Sequence, residues 1–227
     1  IGTEHEKFAF NLADLSPVPY EGENGIGAIL TALGEETGWE PINDQGRIIG
    51  LAGTEGGGAI SIEPGGQFEL SGAPLATLHE TCVEANGHLV QVREIAEKLG
   101  IGFLGLGFCP TWTIDEAARM PKQRYDIMRD YLPPRGALAM DMMHASATVQ
   151  ANFDFSDQDD MAKKLRTAMG CTAIVSAIFA NSSISAGSEN GFASKRVAIW
   201  RETDPDRCGL LHFVFEDGFG YREYADW

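Results

Sequence analysis

Gly2-Thr3-Glu4-His5-Glu6-Lys7-Phe8-Ala9-Phe10 decides how the chain is read. Side chains of a strand alternate between its two faces. Gly2, Glu4, Glu6, Phe8 and Phe10 therefore share one face and Thr3, His5, Lys7 and Ala9 the other. The same period of two recurs in Ala59 to Ser71, broken by Pro64-Gly65-Gly66, and in Ala145 to Phe155. Alternation, rather than continuous apolar runs, predicts antiparallel strands with one polar face. Helical stretches are interspersed irregularly, so the expected class is α+β with a mainly antiparallel sheet.

Two helices stand out. One starts near Pro74 and stops at Gly100, with Leu78, Cys82, Ala85, Leu89, Val92, Ala96 and Leu99 as its apolar stripe. The other follows Ser156 as N-cap, has Asp157, Asp159 and Asp160 in its first turn, and runs to about Ala180. Its second half lies in the uncharged stretch Thr167 to Ser188. Polar residues interrupt that stretch, and spanning a bilayer takes about 20 mostly apolar residues. A buried helix is expected there. Between the helices, Phe103, Gly105 and Gly107 share a face on which another group can approach closely.

The chain has 227 residues, enough for one sizeable core, and shows no repeat or low-complexity linker. We expect a single domain over 1–227, incomplete at both ends and more so at the C-terminus. Thirty-three acids against 17 bases give a net charge of -16. That field repels nucleic acid but not metal cations or a cation-charged nucleotide. No membrane partner is expected. Cys82, Cys109, Cys171 and Cys208 are widely spaced without a CxxC pair, as free thiols in a reducing compartment would be.

Glu4 and Glu6 share their face with Phe8 and Phe10, and unpaired carboxylates on a covered face are costly. Glu63 and Glu69 flank the Pro-Gly-Gly bend. Four carboxylates converging from two strands would suit magnesium, which prefers oxygen ligands and shares them with phosphates; solvated glutamates on an exposed strand end are the alternative. Ser146, Thr148, Gln150, Asn152 and Asp154 form the polar face of the third strand, either a cavity wall or a solvent face. Bases are scarce. Lys122, Arg124 and Arg129 follow Met120-Pro121, while Arg196 and Arg201 bracket Trp200 and Arg207 follows a turn. Arginines clamp carboxylates with two parallel hydrogen bonds, though any of these could be a surface ion pair. Some chemistry is absent: Thr54-Glu55-Gly56-Gly57-Gly58 is Gly-rich but lacks the Lys of a P-loop, and no HExxH or GxSxG occurs. Cys82, on the helix stripe, reads as a packed thiol.

The stretches IGTEHEKFAF (1–10), EPGGQFELSGAPL (63–75), MPKQRYDIM (120–128), VQANFDFS (149–156) and NGFASKR (190–196) together resemble the plant and proteobacterial type of glutamate–cysteine ligase, along essentially the whole chain. The resemblance implies a curved antiparallel sheet shaped as a funnel, akin to glutamine synthetase, with helices outside. It implies ATP-dependent joining of the glutamate γ-carboxylate to the cysteine amine through a γ-glutamyl phosphate, the first step of glutathione synthesis. By the same resemblance Glu4, Glu6, Glu63 and Glu69 hold Mg2+, Gln150 and Asn152 belong to the metal–nucleotide wall, and Arg124 and Arg196 receive the substrate. Cys82 matches a cysteine that some members link to a partner beyond Trp227. Small-molecule substrates, a monomer or redox-dependent homodimer, and a cytoplasmic or plastid setting follow from the same source. Another carboxylate–amine ligase of this scaffold and a silent cation-binding fragment are the rival readings.

Overall fold

The structure is a computed structural model that describes residues 1–54 and 56–227; Glu55 of the Gly-rich run lies outside the described residues. Strand β1 (Gly2–Asn11) is its centre. Strands β2 (Glu40–Asp44), β3 (Arg47–Ala52), β4 (Ala59–Ile62) and β5 (Gln67–Ser71) follow as an antiparallel meander, and β5 pairs with one edge of β1. The other edge takes β6 (Ile101–Leu104) along Phe8–Asn11 and β7 (Val149–Asn152) along Gly2–His5. Pairing is antiparallel throughout this sheet. The α+β expectation and the break between Ile62 and Gln67 hold.

Register separates two chemistries. Lys7 lies opposite Phe68 and His5 opposite Leu70, while Ile62 and Ile60 continue these rows. This face is covered by α1 (Ile26–Thr37) and α2 (Leu78–Leu99). Ile26, Ile29, Leu30 and Leu33 of α1 recur at helical spacing and are all fully buried against Leu51, Ile60, Ile62 and Phe68. Helix α1 ends where Gly38 takes the left-handed conformation. The opposite face carries Glu4, Glu6 and Phe8 of β1, with Gln67, Glu69 and Ser71 of β5 and Ser61 of β4. Phe8 packs edge-on against Trp112 in a second cluster with Phe108 and Ala147.

Several expectations are corrected. Helix α2 begins at Leu78, where Thr77 and Glu80 form a capping box; Pro74 lies outside it. Its buried face is Thr81, His88, Val92, Ile95 and Ala96, so Leu78, Cys82 and Leu89 are exposed. The rotation has a cause: His88 stacks on Phe68 of β5, which turns His88 inward in place of Leu89. The second long helix, α5 (Gln158–Ile178), is capped by Asp157, one residue later than expected. It buries only Met161 and Ala162, while Ile174, Ile178 and Phe179 are exposed. Its N-terminal half docks on the short 3-10 turn His212–Phe215, where Arg166 donates to the Val214 and Glu216 carbonyls; the apolar second half projects past that contact. No described helix is long and apolar enough to cross a membrane.

The stretch Ala145 to Phe155 is a strand only over Val149–Asn152: Ala145 closes α4 (Ala139–Ala145), and Ser146 forms an isolated bridge with Phe108. Gln150 pairs opposite Glu4 and Asn152 opposite Gly2, so the even-numbered residues of this strand do face the carboxylate side. Of the odd-numbered ones, Ala147 is buried, but Val149 and Phe153 are 71% and 69% exposed. They do not pack against helices as expected: an open cavity lies between Val149 and α2, and Phe153 is exposed. Ser146 is buried and donates to the Met142 carbonyl, so it lines no cavity.

Candidate functional site

Glu6 and Glu69 sit directly opposite each other across β1 and β5, which places their Cα atoms about 4.5–5.5 Å apart. Each of the four glutamates is held by neutral donors. The Thr148 backbone N–H donates to Glu6 Oε2 at 2.9 Å, and Asn152 Nδ2 donates to Glu4 Oε1 at 3.0 Å. Both oxygens of Glu69 are occupied, Oε2 by Ser61 Oγ at 3.0 Å and Oε1 by Ser71 Oγ at 2.6 Å. Tyr125, fully buried in α3 (Gln123–Tyr131), donates to the Ile62 carbonyl at 2.6 Å and touches Glu63 Oε1 at 3.3 Å. The bend presenting Glu63 is tied down by Glu63 N–H to the Gln67 carbonyl and by Gly65 N–H to Gln67 Oε1. Gln67 in turn donates to the Ser146 carbonyl at 2.7 Å. Gly65 is required there, because a Cβ at that position would meet the His144 carbonyl oxygen at 2.1 Å.

The ion pairs among the described residues lie elsewhere. The row of carboxylates is therefore short of positive charge. Burial pushes the Glu6 carboxyl up to about 7, and the negative charges of Glu63 and Glu69 add to it; the Thr148 N–H and the Arg196 guanidinium act the other way. Glu63 is also raised, by burial first, although Lys122 and Arg124 oppose the shift. In both, burial disfavours the charged form more than the nearby bases favour it. Their oxygen-only chemistry fits a hard divalent ion. Among the described residues no three acids, histidines or cysteines are gathered tightly enough to cage a metal unaided. The expected convergence of Glu4, Glu6, Glu63 and Glu69 on one metal position is therefore not met among the described residues; Glu6 and Glu69 are the two brought face to face.

The predicted arginines take different places. Arg196, in the first turn of α6 (Lys195–Arg201), is half-buried; its charge reaches Glu6, its Nε has no hydrogen-bond partner, and its guanidinium lies 5.6 Å from the Trp200 ring centre. Arg124 is exposed, 5.3 Å from the Tyr125 ring centre, with its charge reaching Glu63. Arg129 and Arg207 are ion-paired with Asp126 and Asp204. Gln150 and Asn152 are exposed, joined to each other at 2.9 Å, and sit beside Glu4 at the rim. The structure adds Lys122, 8% exposed beside Glu63 and lowered in pKa by burial, as the innermost base at that end. Ser61, Ser71 and Tyr125 are further additions. Only Ser71 was legible, two residues after Glu69 on the same strand face.

The sequence pattern of Glutamate-cysteine ligase family 2 matches residues 1–227, the whole chain. The chain belongs to this family. Among similar proteins, the chloroplastic glutamate–cysteine ligase of Brassica juncea is 51% identical over 227 residues and that of Arabidopsis thaliana likewise 51%. The chloroplastic glutamate–cysteine ligase A of rice, Oryza sativa subsp. japonica, is 50% identical. Each comparison covers 100% of this chain but only 42–45% of the relative, so this family member spans less than half the length of those proteins. The carboxylate row is built from the two stretches, 1–10 and 63–75, on which the family resemblance rests.

Proposed function

We propose that this chain forms the metal–nucleotide and glutamate half of an ATP-dependent ligase that joins the γ-carboxylate of glutamate to the amine of cysteine. The observation that carries the reading is the Glu6–Glu69 cross-strand pair with the Glu63 charge acting on both, without an ion pair among the described residues and held by neutral donors. A carboxylate does not acylate an amine unaided, because oxide is a poor leaving group. Transfer of the ATP γ-phosphoryl to the glutamate γ-carboxylate gives an acyl phosphate, and attack by the cysteine amine releases phosphate. Phosphoryl transfer needs positioning and charge neutralisation more than covalent help. Glu4, Glu6, Glu63 and Glu69 would hold Mg2+, which when bound screens the phosphate charges and orients them. Ser61, Ser71, Tyr125 and the Thr148 N–H fix the carboxylates so that they need not reorganise on binding. Gln150 and Asn152 border the nucleotide end. Arg196 has an unused Nε beside Glu6 and would receive the α-carboxylate of glutamate; Lys122 and Arg124 supply positive charge at the Glu63 end.

The test is kinetic, in the full-length enzyme. Arg196→Lys loses the two-pronged guanidinium contact, so the KM for glutamate should rise by an amount corresponding to about 1.5–3 kcal/mol. The constants for ATP and cysteine should move much less. An equal rise for all three would mean that Arg196 supports the sheet and not the substrate. Phosphate release that did not need both amino acids would overturn the ligase reading itself. The relatives are chloroplastic by name, and a plastid setting belongs to the same proposal.

A further inference from the structure

Behind the carboxylate face, on the helix side of the sheet, lies a cavity of about 460 Å3 between α2 and strands β1, β6 and β7. Its walls are apolar, with Leu89, Val92, Ala96, Ile101, Phe103 and Val149. Its floor is not. Lys7 lines it at 6% exposure and His88 at 5% exposure, and His5 stands beside them.

These three groups are poorly satisfied. The Lys7 ammonium has three N–H bonds, and its one acceptor among the described residues is the His5 carbonyl, 2.7 Å away. Among the described residues no carboxylate is ion-paired with it; Glu6 and Glu69 attract it from the opposite face of the sheet, and Glu6 is also among the residues that line the cavity. Among the described residues His88 Nε2 is buried without a partner. His5 Nε2 meets the Thr3 hydroxyl at 3.1 Å. Glu84 is the acid that acts on His5, but one of its oxygens accepts the Ala73 N–H and it does not line the cavity. At the rim stand Arg93 and Glu97, of opposite charge.

We infer that this cavity is a binding site for a small organic anion, a carboxylate with a compact apolar body, whose head accepts from Lys7 Nζ and His88 Nε2 and whose body lies against Val92, Phe103 and Val149. An unpaired buried ammonium is costly and a carboxylate relieves that cost. The cavity volume falls in the range of about 300–1,000 Å3 usual for small-molecule sites. Glu6 of the carboxylate row also borders this cavity, while its carboxylate accepts from the Thr148 N–H.

Hexanoate, 1-hexanol and hexylamine share one apolar body and differ in the head group, which makes them suitable probes. In calorimetric titrations of the purified protein at neutral pH, hexanoate should bind at least about tenfold more tightly than the other two. Lys7→Met should cost hexanoate about tenfold or more in affinity and should not weaken hexanol. Should that variant fail to fold, Val149→Trp serves instead, because Val149 is 71% exposed and an indole there narrows the mouth; hexanoate binding should fall while the circular dichroism spectrum is kept. Equal binding of hexanoate and hexanol would overturn the inference, as would no hexanoate binding up to about 10 mM. Unchanged hexanoate affinity in Val149→Trp would overturn it as well.

Discussion

Replacing Glu6 by Gln should make the metal-free protein more stable, and only above a certain pH. Gln keeps the acceptor for the Thr148 N–H, bonded at 2.9 Å in the structure, and removes the charge that burial, Glu63 and Glu69 disfavour. The sign follows from linkage. Below the ordinary value of 4.5 the Glu6 carboxyl is protonated in folded and unfolded chains alike and contributes nothing. Between 4.5 and about 7 the folded chain keeps the proton that the unfolded chain releases, so stability falls as pH rises. Above about 7 the loss is complete. Each factor of ten in proton affinity is about 1.4 kcal/mol, so the gap from 4.5 to about 7 amounts to about 3 kcal/mol at most. In a chain of this size that is about 6–12 °C of melting temperature. The assay is urea and thermal unfolding of wild type and Glu6→Gln at pH 4.5 and pH 8, with and without magnesium chloride. The two proteins should coincide at pH 4.5 and separate at pH 8, with the variant ahead. Magnesium should close the gap by stabilising the wild type, since an ion that binds only the folded state stabilises it. Identical pH profiles for the two proteins would refute the reasoning, because Glu6 would then be solvated rather than starved of a cation.

Three further outcomes follow. Gly65→Ala puts a Cβ 2.1 Å from the His144 carbonyl oxygen, so the Glu63–Gln67 bend must move; urea unfolding should show a loss of about 1–3 kcal/mol. Ser71→Ala frees one Glu69 oxygen from its 2.6 Å bond, and calorimetric affinity for Mg2+ with an ATP analogue should drop, while Ser71→Thr retains it. Cys82 and Cys171 are exposed and Cys109 is 0% exposed, so a thiol reagent followed by mass spectrometry should modify the first two in the folded protein and Cys109 only on unfolding.

Strand periodicity assigns faces well because it is set by the backbone. Glu4, Glu6 and Phe8 share a face as expected, and so do Gln150 and Asn152. What the sequence does not carry is what lies over a face. Val149 and Phe153 have the same alternating pattern as Phe8, yet Phe8 is 2% exposed and they are about seventy. Phe8 meets Trp112, brought in from a distant loop, whereas Val149 of β7 faces the cavity that separates it from α2. The stripe of α2 fails for a related reason. Hydrophobicity alone predicts Leu89 inward, but a ring facing Phe68 makes His88 the better partner there, and a rotation of one residue exposes Cys82.

The same distinction governs the candidate site. Its acids were legible because a carboxylate next to Phe8 and Phe10 on a strand is conspicuous. Its supports were not, because a serine or a backbone N–H acquires meaning only from register. Ser61 holds Glu69 solely because β4 and β5 align Ser61 with Glu69; a shift of one residue would put Ile60 or Ile62 there and leave an Oε without its donor. Thr148 serves through its main chain, for which its side chain is irrelevant. The bases divide in the same way. Arg124 and Lys122 are two apart in one motif, and chemistry alone favours the arginine as a carboxylate clamp. Packing reverses the order of depth: Lys122 is buried beside Glu63 with its ammonium 5.2 Å from the Tyr125 ring centre, and Arg124 lies outside it. Removing the Lys122 charge should therefore raise the Glu63 carboxyl further than removing that of Arg124, since Lys122 is the strongest of the influences that lower it. A carboxyl titration followed by NMR in Lys122→Met and Arg124→Met distinguishes them, and a larger rise in the Arg124 variant would show that the buried ammonium is not the partner of Glu63.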